Sequence, residues 1–246
     1  MSTNDITAAR HELAAARRCV VLTGAGMSAE SGVPTFRDAL TGLWSAFDPE
    51  RLASREGFAA DPHLVWRWYA ERRQGASNAR PNAGHLALVG LEARFEQFAI
   101  VTQNVDGLHT RAGSRDVLEL HGNIVRTKCF AECGVRIDDP RDLPPGEPPA
   151  CPRCGHWLRP DVVWFGEMLD AEVLERAERL AASCDAMLVV GTSGLVYPAA
   201  GLPSLARAAG ARVIIVNPNP TELDDLADIV VRDTAARALP ALFAAT

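Results

Sequence analysis

Residues 19–29 read Cys-Val-Val-Leu-Thr-Gly-Ala-Gly-Met-Ser-Ala, an apolar run that breaks into glycines. The run Cys19–Leu22 predicts a buried strand. Gly24-Ala25-Gly26-Met27-Ser28-Ala29 fits the G-x-G-x-x-G/A turn that leads from a strand into a helix. Gly24 permits the tight turn, and Gly26 would let the backbone approach a pyrophosphate held at a helix N-terminus. Small residues also serve strand-to-helix turns that bind nothing, so the surroundings must decide. A hydride-transferring enzyme would place an acid roughly 20 residues beyond the loop, on a second strand, to hold a ribose. Asp48 has that offset, but its context, LWSAFDPERL, does not read as a strand. Asp48 is therefore expected as a solvated or capping residue, and the reading as an NAD-dependent oxidoreductase weakens.

Outward from this stretch, further apolar runs at Phe98–Thr102, Val117–Leu120, Met187–Val190, Val213–Val216 and Ile229–Val231 predict strands covered on both faces. Helical patterns separate them, at Thr7–Arg18, His85–Arg94, Ala171–Ser183 behind an Asp170 N-cap, and Pro203–Ala209 before Gly210. His85–Arg94 sets Leu86, Val89 and Leu91 on or near one side. The alternation predicts an α/β fold, a Rossmann-like parallel sheet with helices on both faces. Two stretches break the rhythm. Residues 36–95 carry Trp44, Trp66, Trp68 and Tyr69 in helical text, and residues 124–160 carry cysteine pairs and a Pro-rich loop. They predict a smaller lobe (36–95 and 124–160) on a larger one (1–35, 96–123 and 161–246), in a single domain of residues 1–246.

A net charge of −6 argues against a broad phosphate-binding face, so no nucleic acid is expected as partner. No apolar stretch approaches the ~20 residues that cross a bilayer, and no signal-like run stands at the N-terminus; a cytoplasmic protein is expected. In that compartment six cysteines, four of them in close pairs, favour metal over disulfides. Cys129-x3-Cys133 and Cys151-x2-Cys154 would supply four thiolates to a closed tetrahedral Zn2+ site with no open position for catalysis. His156 is a competing ligand on paper and reads better as a solvated side chain. Cys19 and Cys184 read as small core residues.

Polar residues gather where strands end. Asn104 and Asp106 leave the strand at Phe98–Thr102, at the edge where open α/β sheets bind ligands, although Asx-rich turns often end strands for local reasons. His121 follows another strand, with an unperturbed pKa near 6.5 suited to proton removal. Gly191-Thr192-Ser193 closes a third and would offer N–H and hydroxyl groups to phosphate. Tyr69 and Arg72, three apart on a helix, share a face and form a natural clamp for a carboxylate. Read plainly, the same pair is a packed phenol beside a surface guanidinium.

Taken in order, GAGMSAESGVPTFR (24–37), QNVDGLH (103–109), LHGN (120–123), VVWFGE (162–167), GTS (191–193) and NPN (217–219) resemble the sirtuin family. The resemblance runs from about Cys19 to Leu239 and is nearest to class III, which removes succinyl and malonyl groups and carries the Tyr69/Arg72 pair. It implies an NAD-dependent protein-lysine deacylase acting on acylated proteins or peptides. Such an enzyme removes acetyl, succinyl or malonyl groups and releases nicotinamide, O-acyl-ADP-ribose and free lysine. A mono-ADP-ribosyltransferase on the same fold, or a zinc module without catalysis, is the alternative; intact His121, Asn104 and Asp106 speak against the latter. By the same resemblance NAD lies along Gly24, Ala25, Gly26 and Ser28, with Phe36 shielding the reacting ribose and Arg37 as a further cofactor-binding residue. Gln103, Asn104, Val105 and Asp106 surround the nicotinamide end, with Asp106 on the carboxamide. Gly191, Thr192, Ser193, Asn217 and Ala235 line the adenosine side. His121 is implied as general base and Asn104 as its catalytic companion. Val163, Phe165 and Gly166 would line the acyl-lysine channel while their segment pairs with extended substrate. Ala39 would leave room for a longer acyl chain. The family usually spaces its first cysteine pair by two residues, so the three here loosen that knuckle.

Overall fold

The computed structural model describes residues 3–34, 48–138 and 144–243. Its main sheet holds six strands: β1 (Arg18–Thr23), β2 (Gln97–Thr102), β3 (Val117–Glu119), and, after the small-lobe strands, β7 (Ala186–Val190), β8 (Arg212–Val216) and β9 (Ile229–Val231). These are the six predicted runs, shifted by a residue at some ends. They pair in parallel in the order β3-β2-β1-β7-β8-β9. The chain winds one way from β1 to β3 and the other way from β7 to β9. The direction of winding therefore reverses between β1 and β7, and a crevice opens beyond their carboxyl ends.

Alternation along β1 builds two cores. Val21 faces a cluster with Ile100, Leu188 and Ile214, while Val20 and Leu22 face one with Val101, Val189 and Ile215. The helices α1 (Thr3–Ala15), α5 (Ala83–Leu91) and α9 (Ala235–Phe243) supply Leu13, Leu88 and Leu239 to the first. The helices α7 (Ala171–Ala181) and α8 (Leu202–Ala208) supply Leu180 and Ala206 to the second. Asp170 caps α7 as expected, accepting from the N–H groups of Glu172 and Val173. Gly210, at φ +94°, ends the turn after α8. No helix among the described residues is long and apolar enough to cross a membrane.

Several expectations need correction. The first helix spans Thr3–Ala15 rather than Thr7–Arg18, because Arg18 already pairs with Gln97 in the sheet. In α5, Leu86 is exposed while His85, Leu88 and Leu91 are buried, so the inward face is rotated from the expected one. Helix α9 was not anticipated. Residues 83–95 had been grouped with the small lobe, yet Leu88 and Leu91 pack into the sheet's first core.

The small lobe has its own core. The helices α2 (Pro49–Leu52), α3 (Arg55–Ala60) and α4 (Pro62–Asn78) bring Leu52, Phe58, Val65, Trp68 and Tyr69 against Ile124, Val162 and Trp164. A second, antiparallel sheet runs β5 (Arg136–Ile137), β4 (Gly122–Cys129), β6 (Leu158–Val162). Leu158–Val162 falls in the small lobe, and of the VVWFGE stretch (162–167) only Val162 lies in a strand. Beyond it the chain continues as a pinned segment, through Val163 N–H to the His121 carbonyl (2.9 Å) and Phe165 N–H to the Ala53 carbonyl (2.9 Å).

Between α5 and α6 (Leu108–Ala112), His85 and His109 lie buried with ring centroids 4.9 Å apart. His109 Nε2 meets Thr23 Oγ1 at 3.0 Å, and that hydroxyl reaches Thr102 Oγ1 at 2.7 Å. Burial holds His85 down at about 4; burial, with the neighbouring His85, holds His109 at about 3. The unfolded chain would protonate both near ~6.5. Their contribution is complete above that pH and is lost as pH falls toward about 4, since the unfolded state then binds more protons. Chemical denaturation should show stability dropping below pH ~6.5, by up to ~1.4 kcal/mol per pH unit for each histidine. His109→Gln should flatten that slope; an unchanged slope would contradict the assignment.

Candidate active site and metal centre

The glycine turn sits at the crevice between β1 and β7, and its fit to a neighbouring loop explains its composition. Gly24 N–H bonds the Val190 carbonyl at 3.0 Å and Gly26 N–H bonds the Gly191 carbonyl at 2.8 Å. A Cβ on Gly26 would lie 2.7 Å from Gly191 Cα. A Cβ on Gly191, where φ is +62°, would lie 2.4 Å from Met27 N. Gly26 was expected to make room for a pyrophosphate; the described contact that requires it is the crossing of these two loops. Nor does a long helix follow. The chain makes two 3-10 turns, Ala25–Met27 and Ala29–Ser31, ended by Gly32 at φ +76° with Pro34 close behind. Asn82, which caps α5, pins the loop by donating to Met27 O (2.9 Å) and Ser31 Oγ (3.1 Å).

The segment leaving β2 brings the predicted polar residues onto this loop. Asn104 Nδ2 donates to Gly24 O (3.0 Å) and Ser28 Oγ (3.2 Å). Gln103 Nε2 donates to Thr192 Oγ1 at 2.9 Å. Asn217 Nδ2 donates to Thr192 O at 3.0 Å, and its Oδ1 accepts from Asn219 N–H at 3.1 Å. The Asn217 amide is thus committed to shaping the loops after β7 and β8. Ser193 is exposed beside them. Ala235 is buried at the start of α9, and its carbonyl would lie 2.9 Å from a Cβ on Gly84. Asp48 is exposed and caps the next turn by accepting from Glu50 N–H (3.0 Å), as its sequence context suggested.

His121 is half-buried, with Nδ1 3.0 Å from the Gln103 carbonyl. A carbonyl oxygen only accepts, so Nδ1 carries the proton and Nε2 keeps its lone pair. Burial lowers the His121 pKa and the Gln103 carbonyl partly opposes this, so the neutral imidazole with its free Nε2 lone pair is favoured. Asp106 is buried, accepts from Leu108 N–H at 2.9 Å and bonds the Ser28 hydroxyl; burial raises its pKa. It lines a cavity with Val33, Pro34, Val105, Ile124 and Arg72.

Of the predicted clamp, Arg72 lines that cavity, while Tyr69 is buried in the small-lobe core. Arg72 projects from α4 with its guanidinium 4.7 Å from the Trp68 ring centre and 5.8 Å from that of Tyr69. Burial lowers its pKa. Tyr69 is buried, and its hydroxyl oxygen accepts from Trp164 Nε1 at 2.9 Å. Phe165 and Gly166 line a separate, open depression with Ser54 and Glu56, and Val163 is half-buried beside them. Phe36, Arg37, Ala39 and Trp44 lie outside the described residues. Trp164, Arg159 and Glu167 were given no role in the sequence. The first and last stand inside VVWFGE and carried that much signal; Arg159 carried none.

The four cysteines converge. Their Sγ atoms lie within 4.8 Å of one another, Cys129 to Cys154 at 3.4 Å and Cys133 to Cys151 at 3.5 Å. These distances far exceed the ~2.05 Å of a disulfide. They approach the ~3.8 Å between thiolates on a tetrahedral zinc with Zn–S near ~2.3 Å. Backbone N–H groups of Cys133 and Ala131 point at the Cys129 sulfur, and those of Arg153 and Cys154 at Cys151, which suits thiolates. The group fits one structural zinc. The extra residue of the first knuckle is absorbed by Glu132, at φ +54°, whose carboxylate pairs with Arg55 at 2.6 Å. His156 is exposed and stands outside the cluster.

The profile of the Sir2 family matches residues 24–198. An NAD-dependent protein deacylase of Ralstonia nicotianae is 56% identical over 236 residues, which cover 96% of this chain and 95% of that one. A solved Sir2 homologue in complex with NAD superposes with a TM-score of 0.89 at 42% identity, covering 96% of this chain and 92% of that one. A Sir2 variant solved with deacetylated p53 peptide and 3′-O-acetyl ADP-ribose gives 0.84 at 33%, covering 96% of each.

The metal centre makes a direct prediction. The purified chain should carry one zinc by elemental analysis, and Cys151→Ala should remove it and lower Tm, with the change concentrated in the small lobe. A zinc-free wild type of undiminished stability would contradict a structural role.

Proposed function

This chain belongs to the Sir2 family and is an NAD-dependent protein deacylase; on that premise we propose that its pocket selects acyl groups ending in a carboxylate and that His121 is the base of its reaction. The observation that carries the acyl preference is the guanidinium of Arg72, half-buried on α4 and lining one cavity with Asp106. A planar guanidinium matches a carboxylate in two parallel hydrogen bonds, and the carboxyl end of a succinyl or malonyl chain supplies one. An acetyl group supplies none.

When bound, NAD supplies the glycosidic bond whose cleavage releases nicotinamide and leaves ADP-ribose to take the acyl group. The residues of this chain orient and deprotonate. Asn104 and Ser28, joined to the Gly24 turn, set the sugar's position. Asp106, its carboxyl held in place by Leu108 N–H, receives the carboxamide at the back of the cavity. His121 accepts a proton at Nε2, because the Gln103 carbonyl reserves Nδ1 as the protonated nitrogen. The Val163–Gly166 segment offers backbone groups to extended substrate, and its Val163 N–H is tied to the His121 carbonyl, which links base and substrate strand. Holding both reactants on rigid elements lowers the entropic barrier to reaction.

Two variants test this. His121→Tyr should abolish deacylation by mass detection of products while zinc content and Tm stay near wild type; retained activity would remove the base. Arg72→Met should cost roughly 2–5 kcal/mol in kcat/KM for a succinyl-lysine peptide and little for the matched acetyl peptide. An unchanged acyl preference would end the clamp reading.

A further inference from the structure

We propose that Trp164 is a positioning residue for acyl selectivity: its indole N–H occupies a lone pair of the Tyr69 hydroxyl oxygen and thereby turns the phenol's own proton toward the acyl carboxylate. The proposal rests on the carboxylate-selective reading above.

An indole Nε1–H donates and never accepts. At 2.9 Å from Tyr69 Oη it must give its proton to that oxygen. A phenol that already accepts from one side is set to donate on another. Burial raises the Tyr69 pKa, so the phenol keeps the proton it would donate. Without Trp164, a buried hydroxyl rotates freely between donating and accepting, and the latter orientation points lone pairs at an incoming anion.

Trp164 is itself held from several directions. Its ring stacks under the Arg159 guanidinium at 3.3 Å and lies 5.4 Å from Phe58. Its backbone N–H donates to Glu167 Oε2 at 2.9 Å. Arg159 is fully buried, paired with Glu167, and donates to the Val162 carbonyl at 2.6 Å. The same Glu167 faces Arg55, which also holds Glu132 of the zinc knuckle and the Phe130 carbonyl. The indole therefore has one orientation, braced by the segment that follows the metal module, and it passes that orientation to Tyr69. Arg72 attracts the carboxylate and Tyr69, so aligned, donates to it.

Trp164→Phe keeps a ring against Arg159 and removes only the N–H. For a succinyl-lysine peptide, KM should rise about three- to tenfold while kcat holds within about twofold, the size expected for one hydrogen bond. Any change for the acetyl peptide should be smaller, so that the succinyl-to-acetyl ratio of kcat/KM falls. In a Tyr69→Phe background, Trp164→Phe should change nothing further, because the hydroxyl through which it acts is gone. A residue that merely supports the fold would depress both substrates and persist in that background, and either result overturns the proposal. If Arg72→Met shifts acyl preference and Trp164→Phe does not, the clamp stands and the role of Trp164 falls. If Arg72→Met leaves preference untouched, the clamp falls and takes this proposal with it. Should Trp164→Phe fail to fold, the Trp164 indole proton resonance decides: it should move upfield in Tyr69→Phe, and a fixed position overturns the proposal.

Discussion

The site depends on two glycine turns crossing without side chains. The turn after β1 and the turn after β7 meet at the point where the sheet reverses its winding, and backbone touches backbone there. Each glycine is excluded from substitution by the other chain segment. The crossing settles where Gly24, Asn104, Ser28, Gln103 and Thr192 stand, because each of these bonds to one turn or to a residue on it. The positions of these crevice residues are therefore consequences of how tightly two strand ends can approach.

Much of this was legible in the sequence. Six apolar runs became six parallel strands, since a strand buried on both faces leaves a signal that needs no partner to interpret. The cysteine pairs were equally plain, as metal ligation restricts spacing. The motif set brought the polar residues of the crevice together as expected. What was not legible came from contacts distant in the chain. Gly26 suggested a ligand's approach, while the tight approach observed is Gly191, some 165 residues on. The helix expected after the loop is replaced by 3-10 turns that Gly32 and Pro34 end. The face of α5 differs from the expected one because His85, a polar residue, is buried beside Leu88 and Leu91 while Leu86 is exposed. Arg159 gave no sign of itself, since nothing in a sequence announces which arginine will be enclosed.

The small lobe is more than a cover. From the zinc knuckle, ion pairs run through Arg55 to Glu167 and the buried Arg159, which lies against the indole of Trp164, itself hydrogen-bonded to the phenol of Tyr69. Buried ion pairs of this kind add little net stability, since desolvation offsets attraction, but they restrict geometry. Restricted geometry is what selective recognition of a charged acyl end requires. Four thiolate ligands would leave a zinc no open position for chemistry, and the metal would instead steady the frame on which the proposed acyl clamp is mounted.

The central claim is that one cavity holds both the reacting sugar and the carboxylate end of the acyl chain. A crystal structure with NAD and a succinyl-lysine peptide tests it most directly. The account predicts the carboxylate within ~3 Å of Arg72 and the Tyr69 hydroxyl, with His121 Nε2 facing the ribose hydroxyls. A carboxylate directed to solvent, with Arg72 turned away from it, would contradict the account.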